Sequence, residues 1–285
     1  MSIFGMNILP RIEVDQEKTF SVSEVDAIQV DLSTYPLHII QTAAGSPVKF
    51  HLYGKASQEV ELVTDLNQKT VMMKVKHQYL HQGWNDLYVD IYLPVDYEKD
   101  LAVEISTGKV TLDAMTLKNF TLHTSTGGLE AADIIAENTD IRSSTGSITI
   151  KSLQSDTLNL RASTGSISID SCRVKNANVV ATTGSINLKN CSGDFEVESS
   201  TGSVRLDFAA FDHQNLRIKT TTGRILAQLP VDAEFTLQAN TSTGNIQSGF
   251  PINSVSSHAV SAQIGTGENE VTLKTTTGDI SLVKK

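Results

Sequence analysis

Hydrophobic and polar residues alternate along most of this chain, and beyond residue 100 a Thr-Gly pair punctuates the alternation at regular intervals. The glycines fall at Gly108, Gly127, Gly146, Gly165 and Gly184, each nineteen residues after the last. They continue at Gly202, Gly223, Gly244 and Gly278, with intervals of 18, 21, 21 and 34 residues. The longest interval holds a degenerate corner at Gly265-Thr266-Gly267. Two places after the glycine stand Val110, Leu129, Ile148, Ile167 and Ile186; five places before it stand Val103, Leu122, Ile141, Leu160 and Val179. Intervening positions such as Thr149, Ser168 and Asn187 are polar. A period of two on both sides of each glycine predicts two strands per repeat. No window past residue 100 sustains the 3.6-residue spacing of an amphipathic helix.

Strand pairs recurring at a fixed interval stack most simply as parallel rungs, because one repeat alone cannot bury its apolar face. The expected fold is therefore all-β: a right-handed parallel β-helix (β-solenoid) with coils of about nineteen residues. A sharp bend favours a residue with positive φ, which glycine adopts without a Cβ clash, so Gly146, Gly165 and Gly184 are expected there. Length changes fall between the second strand of one coil and the first of the next, as at Phe208-Ala209-Ala210-Phe211-Asp212. Insertions are thus predicted along one edge.

Residues 1–100 lack the Thr-Gly corner but alternate clearly at Ile28–Leu32, Val48–Leu52 and Leu87–Leu93. An exposed terminal rung invites pairing with other chains and needs covering. This segment reads as an irregular β-rich cap continuous with the regular solenoid of residues 101–285, with a separate small sandwich as the alternative.

Composition narrows the function classes. The net charge of −9 disfavours nucleic acid and anionic lipid as partners. The first eleven residues lack the basic start and apolar stretch of a signal peptide. No run approaches the roughly 18 apolar residues of a membrane span. The sequence thus predicts a cytoplasmic location, with peripheral association to the envelope compatible. Two cysteines in 285 residues do not make a disulfide scaffold. Cys172 and Cys191 share the column that holds Met115, Ile134 and Leu153, so both are expected to be buried, reduced and adjacent.

Candidate chemistry is sparse. Asp140, Arg142 and Arg161 gather on one outward face as possible ligand contacts. Paired carboxylates suited to glycoside cleavage do not share adjacent rungs. The column Asp113, Ala132, Lys151, Asp170, Lys189, Asp207 places opposite charges one rung apart, which suits register rather than chemistry. Stacked threonines suggest an ice-binding face, but successive side chains at a bend diverge. Between Val71–Val75 and Leu87–Leu93 the stretch His77–Asn85 reads as a hairpin loop, with Tyr79, His81 and the lone Trp84 as a possible contact site. Two histidines without a third ligand do not define a metal site. No cofactor is expected.

The units Ser144–Ile150 and Ser163–Ile169, the leader ending Tyr92-Leu93-Pro94 and the closing Thr277-Gly278-Asp279-Ile280-Ser281-Leu282 resemble the bacterial putative-adhesin family of β-strand-repeat proteins. The resemblance spans roughly residues 20–283. It implies a β-solenoid, a bacterial source and an association with cell-envelope stress, and it carries no catalytic residues to transfer. The expected function is a non-enzymatic interaction scaffold with a protein or glycan partner. A carbohydrate-binding or carbohydrate-active β-helix is the alternative.

Overall fold

The computed structural model describes residues 11–77, 85–252 and 256–285. Nine strands occupy the first 112 residues: β1 (Ile12–Phe20), β2 (Ala27–Thr34), β3 (Leu37–Thr42), β4 (Val48–Ala56), β5 (Val60–Asn67), β6 (Thr70–His77), β7 (Asn85–Pro94), β8 (Asp100–Thr107) and β9 (Val110–Leu112). The regular coils follow as β10 (Met115–Thr126), β11 (Leu129–Thr145), β12 (Ile148–Thr164), β13 (Ile167–Thr183) and β14 (Ile186–Thr201). The last eight are β15 (Val204–Phe208), β16 (Leu216–Thr222), β17 (Ile225–Leu229), β18 (Phe235–Thr243), β19 (Ile246–Ser248), β20 (Ala259–Ile264), β21 (Asn269–Thr277) and β22 (Ile280–Lys284). All 22 join one hydrogen-bonded sheet.

The expected nineteen-residue rungs are present: Ile148 pairs with Ile167, Leu160 with Val179 and Thr164 with Thr183, all in parallel. The coil differs in shape from the two-strand expectation. In β12 the strand runs unbroken for 17 residues, while its alternation slips at three places. At Lys151-Ser152, Asp156-Thr157 and Ser163-Thr164 neither successive side chain is buried. Each slip turns the chain, so the coil has three sides, and two of its corners use no glycine. Between corners, Ile148, Ile150, Leu153, Leu158, Leu160 and Ala162 point inward and are buried. Burying each large aliphatic side chain stabilises by about 1.5–3 kcal/mol before the entropy of ordering the chain is charged against it.

The third corner requires its glycine. Gly146, Gly165 and Gly184 have φ of +144°, +144° and +147°, as expected from the sequence. Their amides donate to Thr164, Thr183 and Thr201 of the next coil at 2.8–2.9 Å. The small column three places before the glycine faces inward, and the hydroxyls of Ser143, Thr241 and Thr275 use glycine carbonyls. Ser143 Oγ donates to the carbonyls of Gly127 and Gly146 at 3.0 and 3.2 Å, and Thr241 Oγ1 to Gly278 at 3.0 Å.

Sequence order and spatial order part company at both ends. The coil of β21 and β22, last in sequence, does not lie on the outside. β21 pairs with β16 on one side and β18 on the other, and β22 lies between β17 and β19. The Gly278 coil thus sits between the Gly223 and Gly244 coils. At the other end, β2 and β3 lie between β8/β9 on the inside and β6/β7 on the outside. Each end therefore has its sequence-terminal coil threaded one layer in. Outside these layers β4 pairs antiparallel with β7, β1 with β4 and β5 with β6. The side chain of Gln16 bridges β1 to the edge of β5, donating to the Val60 carbonyl and accepting from the Leu62 amide, both at 2.8 Å.

Two further expectations are settled by packing. Insertions do follow the second side of a coil, at residues 209–215 and 230–234. This end of the solenoid holds a buried edge-to-face chain of Phe195, Phe208, Phe211, Phe235 and Phe250, with centroids 5.0–6.3 Å apart. The stretch His77–Asn85 reads from the sequence as a hairpin loop; its residues 78–84 lie outside the described residues, but the strands that flank it are not a hairpin pair. β6 and β7 pair with β2 and β3 rather than with each other, so they are successive sides of one coil.

Candidate functional site

Many charged side chains of the solenoid wall pair with one another. Lys109 reaches Glu130 at 2.6 Å, Lys175 reaches Asp156 at 2.7 Å and Lys189 reaches Asp170 at 2.8 Å, each one rung away. Arg217–Glu196 and Lys219–Glu198 repeat the pattern at 3.5 and 3.6 Å. Exposed pairs of this kind contribute about 0–1 kcal/mol each, so their main effect is on register and solubility.

Asp140, Arg142 and Arg161 do share a face. Arg142 grips the Asp140 carboxylate with two hydrogen bonds, Nε to Oδ1 at 3.0 Å and Nη2 to Oδ2 at 2.7 Å. His123 Nε2 lies 4.0 Å from the same carboxylate. Arg161 is the rung partner of Arg142. The fork orders one arginine and engages both oxygens of the Asp140 carboxylate. Further along this wall a groove of ≈ 510 Å³ runs between the rows of Asn159, Asn178 and Glu196 and of Asn176, Asp194 and Asn215. Its polar groups are partly engaged by the coil: Asp194 accepts from the Asn215 amide at 2.7 Å, and Asn215 accepts from the Glu270 amide at 3.1 Å.

Tyr79, His81 and Trp84 lie outside the described residues. The adjoining strands carry a cluster that sequence reasoning missed. β4 and β7 run antiparallel with Tyr53 opposite Tyr88 and His51 opposite Asp90. The Tyr53 ring stacks between His51 and Tyr88, with centroids at 4.7 and 5.7 Å and planes 29° and 23° apart. Ion pairs hold the cluster's rim: His51 contacts Asp15 at 2.8 Å, while Lys49 binds Glu17 at 2.9 Å and lies 4.2 Å from the Tyr92 ring centre. Asp90 is 8% exposed and accepts from the Tyr92 hydroxyl at 3.2 Å. Burial first, and the Asp90 charge next, push the Tyr53 and Tyr92 phenols above their ordinary pKa, so both stay protonated near neutral pH. The available signal was aromatic residues in the outward phase of Val48–Ala56 and Asn85–Pro94. The antiparallel register that joins them is non-local.

Among the described residues no group of three His, Cys, Asp or Glu side chains is placed to hold a metal ion. No helix among them is long and apolar enough to cross a membrane.

A parallel ladder closed into three-sided coils around an aliphatic core makes this protein a β-solenoid. The chain belongs to the Toastrack DUF4097 family, whose profile matches residues 25–283. Among solved structures it is similar to a putative adhesin from Bacteroides fragilis at 10% identity and a TM-score of 0.49, covering 95% of this chain and 97% of that one. It is also similar to a putative lipid binding protein from Parabacteroides distasonis at 15% identity and a TM-score of 0.48, with the same coverages. A putative adhesin from Parabacteroides merdae matches at 14% identity and 0.44, covering 95% and 96%. No curated protein matches the chain.

Proposed function

We propose that this protein is a non-enzymatic interaction scaffold acting peripherally at the bacterial cell envelope under envelope stress, where its solenoid presents a rigid surface to a partner. The observation that carries this reading is the use of the wall's charged side chains. Asp140 is committed to Arg142, and the Lys–Asp and Lys–Glu pairs join successive rungs, so these side chains reinforce the coil. The family resemblance supports the link to envelope stress. A glycan is favoured over a protein as partner by the Tyr53–Tyr88 stack beside the buried Asp90.

The test is genetic. A strain lacking the gene is expected to survive cell-wall-acting antibiotics less well, and a variant carrying Asp140→Asn, Arg142→Ala and Arg161→Ala is expected to restore survival. Unchanged survival of the deletion strain contradicts the envelope role. A folded triple variant that fails to restore survival contradicts the passive part given to this face.

A further inference from the structure

The surface around Tyr88 brings together three kinds of group that meet at sugar sites. The first is a fixed aromatic wall. Tyr88 is 41% exposed, and its ring is held by stacking on Tyr53. The second is a buried acceptor. Asp90 is taken almost wholly out of water, it accepts a hydrogen bond from the Tyr92 phenol, and among the described residues no cation lies within ion-pair distance of it. The Lys49 charge acts on it through space, and a carboxylate taken out of water gains further from donors that a ligand brings. The third is a set of polar side chains across the gap: Lys109, which keeps N–H groups beyond the one Glu130 takes, with His38 beside Asp113 and Thr111 on the Leu37 carbonyl. Lys109, His38 and Thr111 line one pocket of ≈ 220 Å³ together with Tyr53, Tyr88 and Asp90.

We propose that this pocket binds one pyranose ring of an oligosaccharide, the partner chemistry within the scaffold reading on which this proposal rests. A pyranose offers a C–H face to Tyr88, hydroxyl donors to Asp90 and hydroxyl acceptors to the N–H groups of Lys109 that Glu130 does not take. An acyl chain could use Pro36, Leu37 and Val89 in the same lining, but it brings nothing to hydrogen-bond Asp90 or Lys109. A phosphate meets the Asp90 charge. The volume is below the ~300–1,000 Å³ of sites that enclose a whole drug-sized ligand, so the pocket holds a single ring while the rest of the glycan lies over the outer sheet. Topology supplies the rigidity. Tyr88 and Asp90 sit on β7, which is hydrogen-bonded to β3 on one side and β4 on the other.

The experiment titrates the full-length protein with cellotetraose, chitotetraose, xylotetraose and maltotetraose. Calorimetry reads affinity, and proton NMR of the same samples reads both saturation transfer to the sugar and any new reducing ends. At least one oligosaccharide is expected to bind. Tyr88→Ala and Asp90→Asn should each weaken that binding at least tenfold, while Arg161→Ala leaves it unchanged. A melting curve for each variant separates loss of the site from loss of the fold, and Asp90→Asn keeps the side-chain shape. No binding of any of the four sugars, or binding that survives both pocket substitutions in folded protein, overturns the proposal. New reducing ends would instead overturn the non-enzymatic reading, so the two failures are distinct.

Discussion

A Cβ placed on Gly165 would lie 2.1 Å from the carbonyl oxygen of Gly146, one coil below. Positive φ is therefore half of the reason for glycine at this corner, and close approach of stacked backbones is the other half. Gly165→Ala is expected to lower the unfolding free energy by more than about 2 kcal/mol in a urea titration. Gly45→Ala is the control, since Gly45 also has positive φ (+75°) but nothing within 4 Å of its added Cβ. It should cost about 1 kcal/mol, the strain of a left-handed backbone alone. Equal effects at the two positions would remove the steric part of this account.

The position of β21 between β16 and β18 makes a prediction about dynamics. Chain termini ordinarily fray, and amides near them exchange quickly. Here Val271, Leu273 and Ile280 are fully buried close to the C-terminus. Hydrogen exchange of residues 271–282 should be as slow as that of β12, and slower than that of β19 in the outer coil. Fast exchange of residues 271–282 would show that the inserted coil is not held as described.

Cys172 and Cys191 are rung partners, both free and both buried. Burial pushes the Cys172 thiol up to about 12 and raises Cys191 as well, so the reactive thiolate is scarce in the folded protein at pH 8. Thiol reagents should label both residues slowly, at a rate set by unfolding, and rapidly in urea. The folded pKa lies above the unfolded one, so these thiols favour folding below pH 9.0, and that stabilisation is lost as pH rises toward 12. Labelling of native protein within the mixing time would place the cysteines outside the core.

The sequence made some of these features legible and hid others for physical reasons. A nineteen-residue recurrence projects directly onto rungs, so the columns of Ile148, Leu160, Gly165 and Cys172 could be read from spacing alone. Asp140, Arg142 and Arg161 could likewise be placed on one face. The two corners without glycine were hidden, because Lys151-Ser152 and Asp156-Thr157 turn the chain with ordinary polar residues. The order of coils at the ends was hidden too, since any strand of the right period can add to either edge of a parallel stack. The Tyr53–Tyr88 stack depends on an antiparallel register between residues 35 positions apart, which alternation alone does not specify.

The most direct test of the central claim counts reducing ends. Wild-type protein is incubated with a panel of plant and bacterial polysaccharides, and products are measured against buffer. The account predicts none above the buffer level, because Asp140 is engaged by Arg142 through both carboxylate oxygens. Turnover that vanishes on Asp140→Asn, Arg142→Ala or Arg161→Ala would contradict it.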